Sequence, residues 1–490
     1  MSARLDQLLH GIADTPGVGD IVVSGLTLDS REVRPGDAFF ALRGTREHGI
    51  TFAKGAVARG ARVVLAEAPA ADAAGIDVPV LWVDGLHGKV GEIAARFFGR
   101  PSESLHVIGV TGTNGKTSTV QLLAQALELL GHRAATIGTL GAGLHGQINE
   151  GERTTPDAIN VQGLLASFRE QGATHVAMEV SSHALEQGRV GAVAFEVAAF
   201  TNLTRDHLDY HGSMEAYGEA KAKLFAWPTL KGAAINIDDA FGRSLAERLP
   251  QGVRALRLSA EGHASADVRA TDVVTSAEGL AFTLHTPWGE RAVRSRLLGR
   301  FNVANLLAVV ACLGAMGESF DRIADAIAVL APINGRMNRL GGVDGVPLAV
   351  VDYSHTPDAL EQALKALRAH CEGRLICVFG CGGDRDAGKR PQMGEIAERL
   401  ADAIIITDDN PRTEDGDVIV ADIVAGLRHP EAATVERDRA AAIQHALASA
   451  KAGDVVLIAG KGHETYQEGA TGKRPFDDLA VARHALEGRA

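Results

Sequence analysis

Apolar positions along this chain fall into short unbroken runs that alternate with stretches of helical spacing. Between residues 106 and 238 the runs are HVIGV, HVAMEV, VAAFTN and AAINID. Strands buried on both faces read this way, so these runs predict a largely parallel sheet. QLLAQALELLG and VQGLLASFREQG place apolar residues at helical spacing and predict the covering helices. Residues 266–298 alternate instead and predict antiparallel hairpins, after which NVANLLAVVACLGAMG predicts a buried helix. From residue 333 onward LAVVDY, RLICVFG, AIIITDD and DVVLIAG predict strands, separated by the helical patterns DALEQALKALRAH, MGEIAERLA and AAAIQHALASA. That regular alternation predicts a doubly wound α/β domain. Before residue 102, DIVVSGLTL, AFFALRG, ARVVLAEA and PVLWVDG predict a smaller α/β unit. The fold class expected is α/β, in three domains over 1–101, 102–332 and 333–490.

Length agrees with this division, because 490 residues exceed what one hydrophobic core serves. The balance of 46% hydrophobic and 22% charged residues is that of a globular chain. A net charge of −12 argues against a nucleic-acid partner, and anionic substrates would need local Lys and Arg clusters. Cys377 and Cys381 lack a second pair to complete a zinc site, so all four cysteines read as thiols of a reducing cytosol. The first residues lack the apolar core of a signal peptide, and the longest apolar run, Leu306 to Gly317, is too short to span a bilayer. A cytoplasmic monomer with no membrane insertion is expected.

The strongest chemical signal is HVIGV-TGTNGKTS-TVQLLAQALELL. Gly112, Thr113, Asn114, Gly115, Lys116, Thr117 and Ser118 join a predicted strand to a predicted helix, the setting of a phosphate-binding loop. Glycines let backbone N–H groups approach phosphates, and the helix N-terminus adds its dipole. Lys116 is placed to reach the terminal phosphates of ATP and Thr117 to ligate Mg²⁺. Val110 stands where the general motif has its first glycine, so this is a variant loop. Glu179 closes a predicted strand, where a carboxylate can hold a metal beside phosphates. His207 and His211 are spaced as in a zinc helix, but Leu208 stands where that motif has its glutamate.

The loop TGTNGKTS resembles that of the Mur ligase and folylpolyglutamate synthase superfamily. Further matching motifs run through the chain: LTLDSR, EVSSH, TNLTRDHLDYHG, YGEAKAKLF, FNVAN, NGRM from Asn334, DYSHTPDAL, GCGGDRDAGKRP, DDNPRTED and GKGHETYQ. The resemblance to the Mur ligases implies a small UDP-binding domain, a central P-loop ATPase domain with a mostly parallel sheet, and a Rossmann-like C-terminal domain. It implies Lys116, Glu179, His207 and Lys221 as catalytic residues, His207 completing a second Mg²⁺ site. Lys221 would be carbamylated, although its helical pattern alone reads as a solvated face. Asn302, Asn305, Arg336, Asp352 and His355 would hold the nucleotide, although Asn302 alone reads as a helix cap.

The same resemblance implies a substrate, UDP-N-acetylmuramoyl-L-Ala-D-Glu, held by Leu28, Ser30, Thr154, Thr155, Ser181, Gln187 and Arg189. Thr45, Arg46 and Glu47 align with a loop that differs in this chain, and Arg153 replaces an asparagine common before the Thr pair. It implies meso-diaminopimelate as the second substrate, at Arg385, Asp409, Asn410, Pro411, Arg412, Gly460 and Glu464. The chemistry suits a diamino dicarboxylate, with Arg forks for carboxylates and an acid for an ammonium. Members that add lysine lack the arginine at the place of Arg412. Alternative readings are a folylpolyglutamate synthase-like ligase, a lysine-adding Mur ligase, and a nucleotide-dependent regulator that ligates nothing.

Overall fold

A computed structural model describes residues 1–44, 47–69, 73–151, 153–276, 278–333, 335–343 and 345–488. Thr45, Arg46 and Asn334 lie outside the described residues. The chain divides into two compact units, residues 1–258 with 308–319, and residues 259–307 with 320–490.

The first unit begins with a four-stranded parallel sheet ordered Gly25–Thr27, Asp37–Ala41, Val63–Glu67, Val80–Val83. Alternate side chains of a strand face opposite ways. Thus Phe40, Val63, Leu65 and Val83 bury against Leu86, Val90 and Ile93 of the Leu86–Phe97 helix, while Phe39, Val64 and Ala66 bury against Ala53 and Ala56.

The same unit carries the predicted central sheet. Ala134–Gly138, His175–Glu179, His106–Thr111, Phe195–Phe200, Gly232–Asn236 and Arg254–Ser259 lie side by side in that order, every neighbouring pair parallel. Their apolar runs are buried on both faces, as their sequence requires. Two strands of this sheet lack a run singled out in the sequence: Arg254–Ser259, and Ala134–Gly138, AATIG, extended by a hairpin of Gly141–Leu144 and Gln147–Asn149. The small residues of AATIG carry little hydrophobic signal. The His106–Thr111 strand lies between His175–Glu179 and Phe195–Phe200, so their C-terminal ends flank the loop that follows Thr111. In such sheets the crevice at these strand ends binds ligands.

In the second unit Val268–Ser276, Gly279–Thr286 and Gly289–Ser295 form the expected antiparallel hairpins. A six-stranded sheet follows, ordered Asn338–Gly341, Leu348–Asp352, Val455–Ala459, Leu375–Phe379, Ala403–Ile406, Ala433–Val435. Only its first pair is antiparallel. Helices cover both faces: Pro357–Arg368 and Lys389–Leu400 bury Leu360, Leu364, Leu367 and Met393 on one side, and Arg439–Ser449 buries Ile443 and Leu447 on the other.

All four cysteines are unpaired. Burial pushes the thiols of Cys312, Cys377 and Cys381 up to about 12, and Cys381 packs against the Met393 sulfur. Among the described residues no helix is long and apolar enough to cross a membrane.

Candidate active site

The Gly-rich turn joins the His106–Thr111 strand to the Lys116–Leu129 helix. Gly112 has φ +147°, and a Cβ there would stand 1.9 Å from the Thr201 hydroxyl. That hydroxyl donates to Asn114 O at 2.6 Å. Thr113 N donates to Asn202 O at 2.8 Å, Asn114 N to Asn202 Oδ1 at 2.9 Å, and Thr204 N to Thr113 Oγ1 at 3.0 Å. The TNLT segment therefore braces the loop from outside. Gly115, at φ +86°, precedes the helix and has no side chain to cap its first turn, where Thr117 and Ser118 lie. Helix N-termini of this kind bind anions. Lys116 Nζ folds back onto Gly112 O and Thr113 O at 2.9 and 2.8 Å.

Lys221 departs from the solvated face that its pattern suggests. It lies in the Met214–Ala222 helix and is 1% exposed. Its Nζ donates to Gly112 O at 2.9 Å, the carbonyl that Lys116 also contacts, and sits 4.2 Å from the centre of the Tyr217 ring. Burial, reinforced by the Lys116 charge and opposed by Asp206, lowers its pKa to about 6. An amine so shifted is neutral at pH 7 and nucleophilic. Lys223 points elsewhere, pairing with Glu186 at 2.7 Å. Tyr217, unnoticed in the sequence, also places its hydroxyl 3.2 Å from Thr113 Oγ1.

Glu179 is buried at the end of its strand. Its carboxylate accepts from Thr139 N at 2.8 Å and Thr139 Oγ1 at 3.2 Å. Thr139 Oγ1 is 3.1 Å from Thr154 Oγ1, and Thr155 Oγ1 donates to Glu179 O at 2.8 Å and lies 3.5 Å from Ser181 Oγ. Arg189 donates to Thr155 O at 3.0 Å and to Gln187 Oε1 at 3.0 and 2.5 Å. The five residues Thr154, Thr155, Ser181, Gln187 and Arg189 thus share one network with Glu179. His207, at φ +52°, is half-exposed and sets its ring 4.8 Å from that of His183, in the helix after the Glu179 strand. Thr117 and Glu179 offer the hard oxygen donors that Mg²⁺ takes.

Leu28 and Ser30 belong to a turn tied by Asp29, whose carboxylate accepts from Arg31 N at 2.8 Å and pairs with the Arg31 guanidinium at 2.6 Å. Those bonds hold the Asp29 carboxyl down to about 2. Glu47 accepts from Thr51 Oγ1 at 3.3 Å.

The second unit gathers its candidates at the C-terminal ends of four parallel strands, those ending at Asp352, Phe379, Ile406 and Ala459. Asp352 accepts from Met337 N at 2.8 Å and from the Ser354 hydroxyl; burial raises its pKa, and those bonds oppose the rise. The Arg336 guanidinium lies 5.4 Å from the Tyr353 ring centre, and its buried Nε has no hydrogen-bond partner among the described residues. A ligand oxygen would satisfy that donor. His355 O accepts from Lys389 Nζ at 2.7 Å. Asn302 is not a cap. It sits inside the first turn of the Phe301–Ala315 helix, donates from Nδ2 to Leu298 O at 2.7 Å and accepts from Asn305 Nδ2 at 2.8 Å.

Arg385 is exposed, and Arg412 holds φ +53° with Nη1 on Gly383 O at 2.8 Å. The two flank Gly382, whose absent Cβ would stand 3.0 Å from Arg412 Nη1 and 3.8 Å from Arg385 Cγ. Gly383 N donates to Asn410 O at 2.9 Å, and a Cβ on Gly383 would stand 2.0 Å from Pro411 O. Asn410 Nδ2 donates to Glu464 Oε2 at 2.9 Å. Lys461, fully buried and missed in the sequence, donates to Asn410 Oδ1 at 2.9 Å and Glu464 Oε2 at 3.0 Å. Glu464 Oε1 accepts nothing among the described residues, so one carboxylate oxygen remains for a ligand ammonium. Asp409 is buried against Gly460; burial raises its pKa, while Arg439 and Lys461 oppose the rise.

Three family descriptions match the chain: "Mur ligase family, catalytic domain" over residues 22–98, "Mur ligase middle domain" over 110–313 and "Mur ligase, glutamate ligase domain" over 335–462. The UDP-N-acetylmuramoyl-L-alanyl-D-glutamate--2,6-diaminopimelate ligase of Xanthomonas campestris pv. campestris is 57% identical over 482 residues, 98% of this chain and 97% of its own. The protein of that name from Xylella fastidiosa is 54% identical over 99% of this chain and 97% of its own. A solved structure carrying the same enzyme name matches with TM-score 0.77 and 38% identity, covering 100% of this chain and 99% of that one. With these three family descriptions and near-complete coverage by these relatives, the chain belongs to the Mur ligase family of ATP-dependent ligases.

Proposed function

We infer that this protein joins meso-diaminopimelate to the D-Glu γ-carboxylate of UDP-N-acetylmuramoyl-L-Ala-D-Glu, a step of peptidoglycan precursor synthesis in the cytoplasm. The observation that carries the reading is the strand edge where Arg412 and Arg385 flank Gly382 while Glu464 keeps one oxygen for an ammonium. Arg forks for carboxylates and an acid for an ammonium are what a diamino dicarboxylate requires. Relatives more than half identical carry that substrate in their names.

ATP phosphorylates the γ-carboxylate, giving an acyl phosphate and ADP. A neutral amine of diaminopimelate attacks the acyl carbon, the C–O bond to phosphate breaks, and amide and phosphate leave with one proton released. Lys116 and the uncapped helix N-terminus neutralise the transferring phosphoryl group. Thr117, Glu179 and His207 would hold Mg²⁺, which would supply further neutralisation of phosphate charge. Lys221, carbamylated by CO₂, adds an anionic oxygen donor to that set. Asn302, Arg336 and Asp352 hold the nucleotide, Asp352 at the ribose. Leu28 and Ser30 read the uridine end of the other substrate, and the Thr155–Arg189 network reads its peptide. Residues 1–101, 102–332 and 333–490 divide the work between UDP-substrate, ATP and amino acid.

The test is phosphate release from ATP with UDP-N-acetylmuramoyl-L-Ala-D-Glu and a panel of amino acids. Turnover with meso-diaminopimelate is expected. Turnover with lysine instead, with glutamate on a folate acceptor, or without any acceptor would each overturn the reading.

A further inference from the structure

Arg390 and Glu414 belong to none of the ligand sets above, yet they join the two loops that carry the arginines. Arg390 opens the Lys389–Leu400 helix and is 1% exposed. Its Nη1 and Nη2 donate to the two oxygens of Glu414, each at 2.7 Å, and Nη1 also donates to Asp422 at 2.9 Å. Glu414 Oε2 accepts in addition from Asp384 N at 3.0 Å. The Asp384 carboxylate accepts from Thr413 N at 3.0 Å and Thr413 Oγ1 at 2.8 Å. The residue before Arg385 and the two residues after Arg412 are therefore bound to one another. Asp384 and Arg412 both hold φ +53°, a conformation that persists where surrounding bonds enforce it.

We propose that the Arg390–Glu414 ion pair is a positioning device for the amino-acid substrate. It fixes the spacing between Arg385 and Arg412, and through it the preference for an amino acid with a distal carboxylate. This rests on the function proposed above. A two-pronged guanidinium–carboxylate pair sets orientation as well as distance, which a single hydrogen bond or a lysine does not. A loop displacement of an ångström at a ligand clamp costs up to about a hundredfold in turnover.

The test compares Glu414→Gln and Arg390→Lys with the unaltered enzyme, measuring KM for each of the three substrates. Glu414 has 26% side-chain exposure, so its replacement by an isostere leaves the core intact. Thr413→Val, an exposed site, removes only the hydroxyl bond to Asp384 and gives a milder version of the same change. For Glu414→Gln and Arg390→Lys, KM for diaminopimelate is expected to rise about tenfold or more, with KM for ATP and the UDP-dipeptide within about twofold. In an Arg412→Lys background Glu414→Gln is expected to add less than about twofold, because residues acting through one another are not additive. An equal rise in all three KM values, or full additivity with Arg412→Lys, would overturn the proposal. Failure of the unaltered enzyme to use diaminopimelate at all would instead overturn the function on which it rests.

Discussion

One backbone oxygen, Gly112 O, accepts from both Lys116 and Lys221, and the buried partner yields its proton. Burial lowers the pKa of Lys221 from that of an ordinary lysine to about 6, so it is a neutral amine above that pH and an ammonium below it. Carbamylation needs the amine. Activity that depends on the modification should therefore be present at pH 7.5 and decline as pH falls through about 6. Intact-protein mass at pH 8 should show the added CO₂, which Lys221→Ala should lack together with most of its turnover. Full activity in Lys221→Ala would end the argument. At the proposed diaminopimelate site the residue to test is Arg412. Losing a charged hydrogen-bonding fork costs about 1.5–3 kcal/mol, or roughly 10- to 150-fold. Arg412→Ala should lose that much kcat/KM with diaminopimelate and little with lysine, which lacks the carboxylate to be clamped. An equal loss with both amino acids would remove Arg412 from its selective role.

Single elements carry a different constraint, that of backbone room. The phosphate loop turns at Gly112 because no side chain fits between it and the Thr201 hydroxyl. Gly112→Ala should displace the TNLT brace, cost on the order of 1–3 kcal/mol in strain, and abolish ATP turnover. A variant that turns over ATP normally with an unchanged melting temperature would show that the brace is dispensable. These elements were legible to unequal degrees. Buried parallel strands announce themselves as apolar runs, and the Gly-rich turn could be placed because its flanking strand and helix were both readable. The Ala134–Gly138 strand was not, since Ala, Thr and Gly bury little apolar area. Lys221 read as solvent-facing because its helix has little apolar periodicity, and only the fold of the Gly112 loop onto it reveals the burial. Lys461, Arg390 and Glu414 escaped notice for a related reason. Lys461 meets Asn410 across 51 residues and Arg390 meets Glu414 across 24, separations at which sequence spacing carries no geometric information.

Across the whole molecule, the two units have separate hydrophobic cores, and the residues proposed for the UDP-dipeptide and for diaminopimelate lie in different ones. A ligand stabilises what it binds by about 2.7 kcal/mol at a hundredfold excess over Kd. Calorimetry should therefore resolve two transitions, with UDP-N-acetylmuramoyl-L-Ala-D-Glu raising one and diaminopimelate raising the other, each by several degrees. A single transition moved equally by both ligands would contradict this assignment. The buried thiols have a practical consequence of their own. Cys312, Cys377 and Cys381 hold their protons up to about pH 12 and are sealed from reagents. Cys371 is the half-buried one of the four, and burial raises its pKa as well. One substitution, Cys371→Ser, would leave a background nearly inert to maleimides. A pair of cysteines engineered on exposed helices, one per unit, could then carry fluorophores that report distance changes during turnover.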